Sequence, residues 1–470
     1  MYFPEEFIQR MDLLSEGKDW QKGYASPRRR GLRVNTLKCP VGKFQELWTR
    51  TYGETLEPTP FAPDTFYVGE SHRAGADPLH HAGAYYMQEP SATAAVAALD
   101  PQPGERLLDA CAAPGGKATQ IAAALCGQGL LWCNEYVTAR ARILLQNLER
   151  CGVENAVVSS TDCRALAQRL PGYFDGVLVD APCSGEGMFR KEPAALAQWS
   201  VELVRQCAER GREILSAAAE LVRPGGRLVY ATCTFAPEED ECQIAAFLES
   251  HPDFELESFS LAAGSPGLPI ERLAPFMDTA ILHTSFPLWH SRRIWPGQGG
   301  EGHYIARLRR AADRETTPNA AVGTYPYPRQ DREFSLAYRD WTGEELQGVS
   351  ERFGRQIRLL PAGLPALRGL GVLAAGVAAA TVCTGRLEPD HGLAMARGAR
   401  FQSRLELSLA DPRVTAYLRG EAIPTQTAAG WTAVLLEGIP LGLGKAGAGR
   451  LNNRYPKGLR LLAAAPPGPG

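Results

Sequence analysis

Two short stretches set sulfur and acid where they could do chemistry. Val179-Asp180-Ala181-Pro182-Cys183-Ser184 puts a carboxyl and a thiol just past an apolar run, and Tyr230-Ala231-Thr232-Cys233-Thr234 puts a second thiol just past another. A lone free cysteine is ordinarily an inert small hydrophobe. Two thiols at the ends of neighbouring strands, with an acid beside one, shift the balance towards nucleophilic catalysis, because a thiolate attacks well near neutral pH and leaves well afterwards.

A third stretch, Asp109-Ala110-Cys111-Ala112-Ala113-Pro114-Gly115-Gly116-Lys117, follows an apolar run and opens into a helical pattern. Small residues at the carboxyl end of a strand let a ligand approach the backbone. A phosphate loop of the Gly-x-x-x-x-Gly-Lys-Ser/Thr kind is excluded, since Cys111 stands where its first Gly belongs and Ala118 where its hydroxyl belongs. The Gly-x-Gly-x-x-Gly spacing of dinucleotide sites is absent too. What remains suits a nucleoside without a pyrophosphate, of which S-adenosylmethionine is the common one. Glu135, about 20 residues beyond the loop, is placed to accept two hydroxyl hydrogens from a ribose, and Asp162 to accept from an adenine amine. Each has a plainer reading, Glu135 as a helix-capping acid and Asp162 as an N-cap.

These residues need a sheet to hold them. Strands are expected at 106–110, 130–135, 155–159, 174–180, 227–232 and 303–308, with helices near 116–125, 138–151 and 197–222. Alternation of near-continuous apolar strands with helical periodicity predicts an α/β fold, a doubly wound parallel sheet covered by helices on both faces. Ahead of it, residues 1–75 read as a small N-terminal α/β domain, in which Arg28, Arg29, Arg30 and Arg33 form a phosphate-sized patch whose plain alternative is a solvated turn. The sheet domain takes 76–312, a linker rich in Thr, Pro and Asn takes 313–332, and a β-rich domain takes 333–470. A chain ending near Asp331 is expected to keep its cofactor site and lose affinity for an anionic partner.

Composition narrows the function. With 44% hydrophobic and 22% charged residues, the 470-residue chain is not disordered for most of its length. Its 11 cysteines are odd in number and form no Cys-x-x-Cys pair, which argues against a disulfide framework or zinc ribbon and for a reducing, cytoplasmic location. The opening Met1 to Glu6 has neither region of a secretory signal. The longest uncharged run, Gly369 to Gly385, is short and rich in Ala and Gly, so it reads as buried core and no membrane partner is expected. From Glu333 onward 16 Lys and Arg face 11 Asp and Glu, a basic surplus that favours an anionic partner.

The blocks MQEPSA (87–92), DACAAPGGKATQ (109–120), DAPCSGEGMFRKEP (180–193), LVRPGGRLVYATCTFAPEEDE (221–241) and GHYIARLRR (302–310) resemble the RNA cytosine-5 methyltransferases of the Nop/Sun family, most of all those acting on bacterial 16S ribosomal RNA. The likeness runs on through Leu32 to Lys38 and from Pro440 to Arg460. It implies a Rossmann-like class I methyltransferase sheet with a C-terminal PUA-like RNA-binding domain. It further implies S-adenosylmethionine held by Cys111, Ala112, Ala113, Pro114, Gly115, Gly116, Lys117, Glu135, Arg140, Asp162 and Asp180.

In that chemistry Cys233 adds to carbon 6 of cytosine, and Cys183 serves the release step that removes the carbon 5 proton. Asp180 either holds a proton against the ring nitrogen, a role that needs a raised carboxyl pKa, or serves only as an orienting hydrogen bond. The implied partner is RNA, 16S ribosomal RNA or the small subunit, with the target base drawn from its stack. A monomer without metal and without a DNA substrate is expected. The same chemistry on tRNA is an alternative. A non-catalytic assembly factor would have no need of both cysteines, and a DNA methyltransferase would put its nucleophile at Cys183 and leave Cys233 idle. A metal-dependent hydrolase would have to use His72, His80 and His81, of which the adjacent pair cannot share a strand face.

Overall fold

The computed structural model describes residues 2–15, 19–276, 285–312, 322–328 and 330–461. Of the linker expected at 313–332, residues 313–321 and 329 lie outside these. Within 322–328, Tyr327 donates its hydroxyl to the Pro361 carbonyl at 2.8 Å, so this part is tied to the region that follows.

The amino-terminal strands β1 (Arg30–Val34), β2 (Glu57–Pro58), β3 (Thr65–Val68) and β4 (Tyr85–Gln88) form an antiparallel sheet in the order β2-β3-β1-β4. The boundary expected at residue 75 would cut this sheet, because the Gly- and His-containing segment after β3 is a turn within the domain that returns the chain to β1. The helix Val41–Tyr52 covers the sheet with Phe44, Leu47 and Trp48, an apolar stripe at helical spacing. Of the four arginines of the patch, Arg28 and Arg29 stay exposed, while Arg30 and Arg33 are engaged within the protein. Arg33 is buried and donates to Gln88 Oε1 (2.9 Å) and Thr119 Oγ1 (2.7 Å), Arg30 donates to the carbonyls of Glu70 and His72, and Arg29 pairs with Glu57.

The central sheet contains every strand expected of it. β5 (Arg106–Asp109), β6 (Leu130–Asn134), β7 (Ala156–Ser159), β8 (Phe174–Asp180) and β9 (Val222–Thr232) run parallel in the order β7-β6-β5-β8-β9. β6 and β7 are buried at every position, as strands covered on both faces must be. β9 starts five residues earlier than expected, so the preceding helix, Val201–Leu221, ends where it begins. The far edge is antiparallel: β10 (Phe254–Glu257), β11 (Ser265–Pro266) and β12 (Arg292–Ile294) attach through β13 (His303–Arg310), which pairs with β9. The strand order reverses at β5, flanked by β6 and β8, and the crevice above their carboxyl ends is where such sheets hold ligands.

The region after 333 is not an independent appendage. β14 (Val349–Phe353), β15 (Gln356–Leu360), β17 (Val377–Cys383) and β18 (Arg386–Pro389) make one sheet, and β19 (Arg404–Leu407), β20 (Ile423–Pro424), β21 (Gly430–Leu436), β22 (Ile439–Gly447) and β23 (Arg450–Asn453) make another. Between β15 and β17 in sequence, β16 (Val372–Ala375) leaves to extend the central sheet, pairing antiparallel with β7. The uncharged run at 369–385 is therefore two strands. The last sheet shares a core with the amino-terminal domain, where Leu405, Tyr417 and Val434 cluster with Phe44, Trp48 and Leu79. Ending the chain at Asp331 would bare the β7 edge and open this core, so such a fragment is not expected to keep an intact cofactor site. Ser160, which donates its N–H to the Gly371 carbonyl, lies two residues from Asp162.

Candidate active site

A cleft of about 720 Å³ opens above the carboxyl ends of β5 to β9, lined by residues from each expected motif: Cys111, Ala113, Glu135, Asp162, Asp180, Cys183 and Cys233. Gly115 makes the turn from β5 into the helix Gly116–Ala124. Its φ of +115° suits glycine, and a Cβ there would press on Leu144 at 3.3 Å. Ala112, Pro114, Gly115 and Gly116 lie behind the wall and shape it. The Ala112 N–H donates to the Asn134 carbonyl (2.8 Å), the Pro114 carbonyl accepts from Asn147 (2.9 Å), and the Gly116 carbonyl accepts from Arg33 (3.2 Å).

Glu135 is buried at the bottom of the cleft. One carboxylate oxygen accepts from the Val137 N–H at 2.9 Å, and the other lies 3.2 Å from Arg140. A carboxylate offers about four acceptor positions, so capacity for a ribose diol is left. Arg140 lines the cleft but also donates to the Ala113 carbonyl (3.0 Å), tying the second strand end to the first. Asp162 caps the helix Cys163–Ala167, its Oδ1 accepting from the Arg164 N–H at 2.8 Å, and also lines the cleft. Acidic walls fit a nucleoside with a sulfonium and oppose a pyrophosphate. Replacing Glu135 with Ala is expected to weaken S-adenosylmethionine about 10- to 100-fold, the effect of losing a charge-assisted hydrogen-bond acceptor, which calorimetry would measure.

Lys117, expected among the cofactor residues, does not line the cleft. Its ammonium, 11% exposed, turns to Asp180 Oδ2 at 2.7 Å. A cation in the first turn of a helix opposes the helix dipole and calls for a partner, which is the signal the sequence carried. The raised pKa expected for Asp180 is corrected by this pairing. Burial alone would push its carboxyl up, but the Lys117 ammonium and the neighbouring His303 overcome that and hold it well below the usual range. Asp180 is therefore a carboxylate that accepts hydrogen bonds rather than an acid that donates one.

The two catalytic candidates meet. The sulfurs of Cys183 and Cys233 are 3.3 Å apart at the cleft wall. The hydrogen bond to the Cys233 sulfur, with burial adding to it, pushes the Cys183 thiol well up. Their two loops are bolted together by residues the sequence reading passed over. Each cysteine is followed by a hydroxyl, and Ser184 and Thr234 bond at 2.7 Å. Glu239 then accepts from both the hydroxyl (2.5 Å) and the N–H (2.9 Å) of Ser184, while the Gly187 N–H donates to the Cys233 carbonyl at 2.8 Å. The amino-terminal helix Glu5–Ser15 steadies the same loop through Phe7, whose ring meets Phe189 at 5.2 Å and Trp199 at 5.3 Å. A hydroxyl directly after each thiol was the available clue.

Burial pushes the Glu239 carboxyl up to about 8, with the Ser184 hydrogen bonds pulling it down and the Glu186 charge adding to burial. A carboxyl raised in the folded state holds a proton there, so the stability it contributes is full at acid pH and is lost as pH rises through about 8. Between pH 6 and pH 9 the protein is expected to lose about 2–3 kcal/mol more than Glu239→Gln does, measured by urea unfolding at both values.

The histidines weighed as metal ligands serve packing: His72 bonds Tyr85 (2.7 Å) and His81 bonds Tyr455 (2.9 Å). Among the described residues no helix is long and apolar enough to cross a membrane.

A parallel sheet of this order, edged by an antiparallel strand and carrying a nucleoside-shaped cleft with acidic strand ends, defines a Rossmann-like methyltransferase. The family model described as 16S rRNA methyltransferase RsmB/F matches residues 96–309. Models for the N-terminal domain of 16S rRNA methyltransferase RsmF, the RsmF rRNA methyltransferase first C-terminal domain and the methyltransferase RsmF PUA domain match 3–90, 334–396 and 404–461. The ribosomal RNA small subunit methyltransferase F of Escherichia fergusonii is 33% identical over 98% of this chain and 97% of its own, and that of Escherichia coli K12 is 32% identical over the same shares. A solved methyltransferase homologue from Pyrococcus horikoshii is 29% identical, with a TM-score of 0.57 over 66% of this chain and 95% of that one. The chain belongs to the 16S rRNA methyltransferase RsmB/F family, which bears out the resemblance read from the motifs.

Proposed function

We propose that the protein transfers a methyl group from S-adenosylmethionine to carbon 5 of a cytosine in 16S ribosomal RNA, by way of a covalent bond between Cys233 and carbon 6. The observation that carries this reading is the pair of sulfurs 3.3 Å apart at the cleft wall, beside an ionised Asp180. The relatives named as small subunit methyltransferases support the choice of RNA.

Carbon 5 of cytosine is a poor nucleophile until a thiolate adds at carbon 6 and makes it enamine-like. Cys233 supplies that thiolate. Asp180, a carboxylate, accepts an N–H of the base and fixes its ring against Cys233. Glu135 and Asp162 bind the cofactor's hydroxyl and amine groups, and Cys111 and Ala113 border its space. S-adenosylmethionine supplies the methyl group that carbon 5 takes. Cys183 then removes the carbon 5 proton, and the Cys233 sulfur departs. The hydrogen bond from which Cys183 draws its raised pKa ends once the Cys233 sulfur is bonded to carbon 6, so the Cys183 thiol then ionises more readily to the thiolate that takes up the carbon 5 proton. Nucleoside analysis of 16S ribosomal RNA from cells with and without the gene tests the assignment. A 5-methylcytidine should disappear with the gene, and an unchanged 5-methylcytidine content would refute it.

A further inference from the structure

His303 is the first residue of β13, and Tyr304 beside it pairs with Thr232, so the antiparallel register sets His303 across from Cys233. It stands in an otherwise apolar run, Tyr304-Ile305-Ala306, and is 3% exposed. Its Nδ1 lies 3.0 Å from the Gly302 carbonyl, an acceptor only, so Nδ1 carries hydrogen and donates. That anchors the ring and leaves Nε2, which has no hydrogen-bond partner, facing Asp180 Oδ1 at 3.7 Å. A buried polar nitrogen without a partner is costly, and packing alone would be served by an apolar side chain.

The other oxygen of the same carboxylate is already held by Lys117 at 2.7 Å. We propose that His303, as an imidazolium carrying hydrogen on both ring nitrogens, is a positioning residue for methyl transfer, donating from Nε2 to Asp180 Oδ1 so that the carboxylate is gripped from both sides and aimed at the target base. Closing 3.7 Å to the ~2.8 Å of a charge-assisted bond takes a shift of about 1 Å, within the settling of a site around its substrate. Each carboxylate oxygen accepts two hydrogen bonds, so one from each side leaves two acceptor positions for the N–H groups of the base. The inference rests on the function proposed above.

The test compares full-length wild type, His303→Phe and His303→Gln, with RNA and methyl-labelled S-adenosylmethionine both saturating. His303→Phe is expected to bind S-adenosylmethionine with wild-type affinity by calorimetry and keep KM for RNA, while kcat falls about 100-fold, the scale of a misplaced catalytic group. His303→Gln, whose amide can donate to Oδ1, should recover most of that loss. If His303→Phe does not fold, His303→Met takes its place, with similar volume and no donor. A wild-type kcat in the variant without a donor, or equal kcat in the Gln and the donor-free variants, would overturn the role of His303 while leaving the proposed function standing. A wild type that makes no 5-methylcytosine would overturn both.

Discussion

Cys183→Ala is expected to accumulate a covalent protein–RNA species that survives denaturing electrophoresis, whereas Cys233→Ala should bind RNA reversibly and transfer no methyl group. The difference follows from what each sulfur is asked to do. Without a thiol at 233 nothing adds to carbon 6, carbon 5 stays unreactive, and no covalent species forms. Without Cys183 the addition and the methyl transfer still proceed, but nothing close by removes the carbon 5 proton, and the Cys233 sulfur cannot leave. Turnover falls in both variants, by about 10³-fold or more, so loss of activity does not tell them apart and the trapped product does. The comparison is clean because either alanine leaves the side-chain hydrogen bonds among Ser184, Thr234 and Glu239 in place. A trapped species from Cys233→Ala and none from Cys183→Ala would exchange the two roles. Trapping by neither would remove the support for a carbon 6 adduct.

The second large effect concerns Lys117 and Asp180. Removing one member of a largely buried ion pair strands the other's charge, so Lys117→Met and Asp180→Asn should each cost about 3 kcal/mol of stability in urea unfolding. The double variant, neutral on both sides, should recover most of that loss, a coupling that a double-mutant cycle measures directly. Methyl transfer should not recover with it. An amide in place of the Asp180 carboxylate no longer presents a negative charge to the base, and kcat should stay about 10²-fold to 10⁴-fold below wild type in Asp180→Asn and in the double variant alike. A double variant no more stable than either single one would mean that the 2.7 Å contact is not a coupled pair. One that regained activity would remove Asp180 from the chemistry.

Much of this was legible from the chain alone, and the reason is local. β5 to β9 are short apolar runs buried on both faces, and their ends carry the acids and thiols, so periodicity and spacing located sheet and site together. The parts that escaped depend on contacts between distant residues. Arg33 looked like a phosphate ligand because nothing in its neighbourhood reveals Thr119, 86 positions away, which it reaches inside the protein. Lys117 sits within a cofactor loop by sequence and beside Asp180 by folding, 63 positions on. β16 is written in the middle of the C-terminal region, and only the open edge of β7 shows where it belongs. His303 could have been suspected, since an imidazole in an apolar strand needs a polar reason to be there.

Methylation at carbon 5 of cytosine must expel the one hydrogen that carbon 5 carries. RNA made with cytidine tritiated at carbon 5, incubated with the enzyme and carbon-14-methyl S-adenosylmethionine, reports both events at once. The expected result is release of one tritium to water for each methyl group incorporated, with neither signal in Cys233→Ala. Methyl incorporation without tritium release would place the methyl on another atom and contradict the function proposed here.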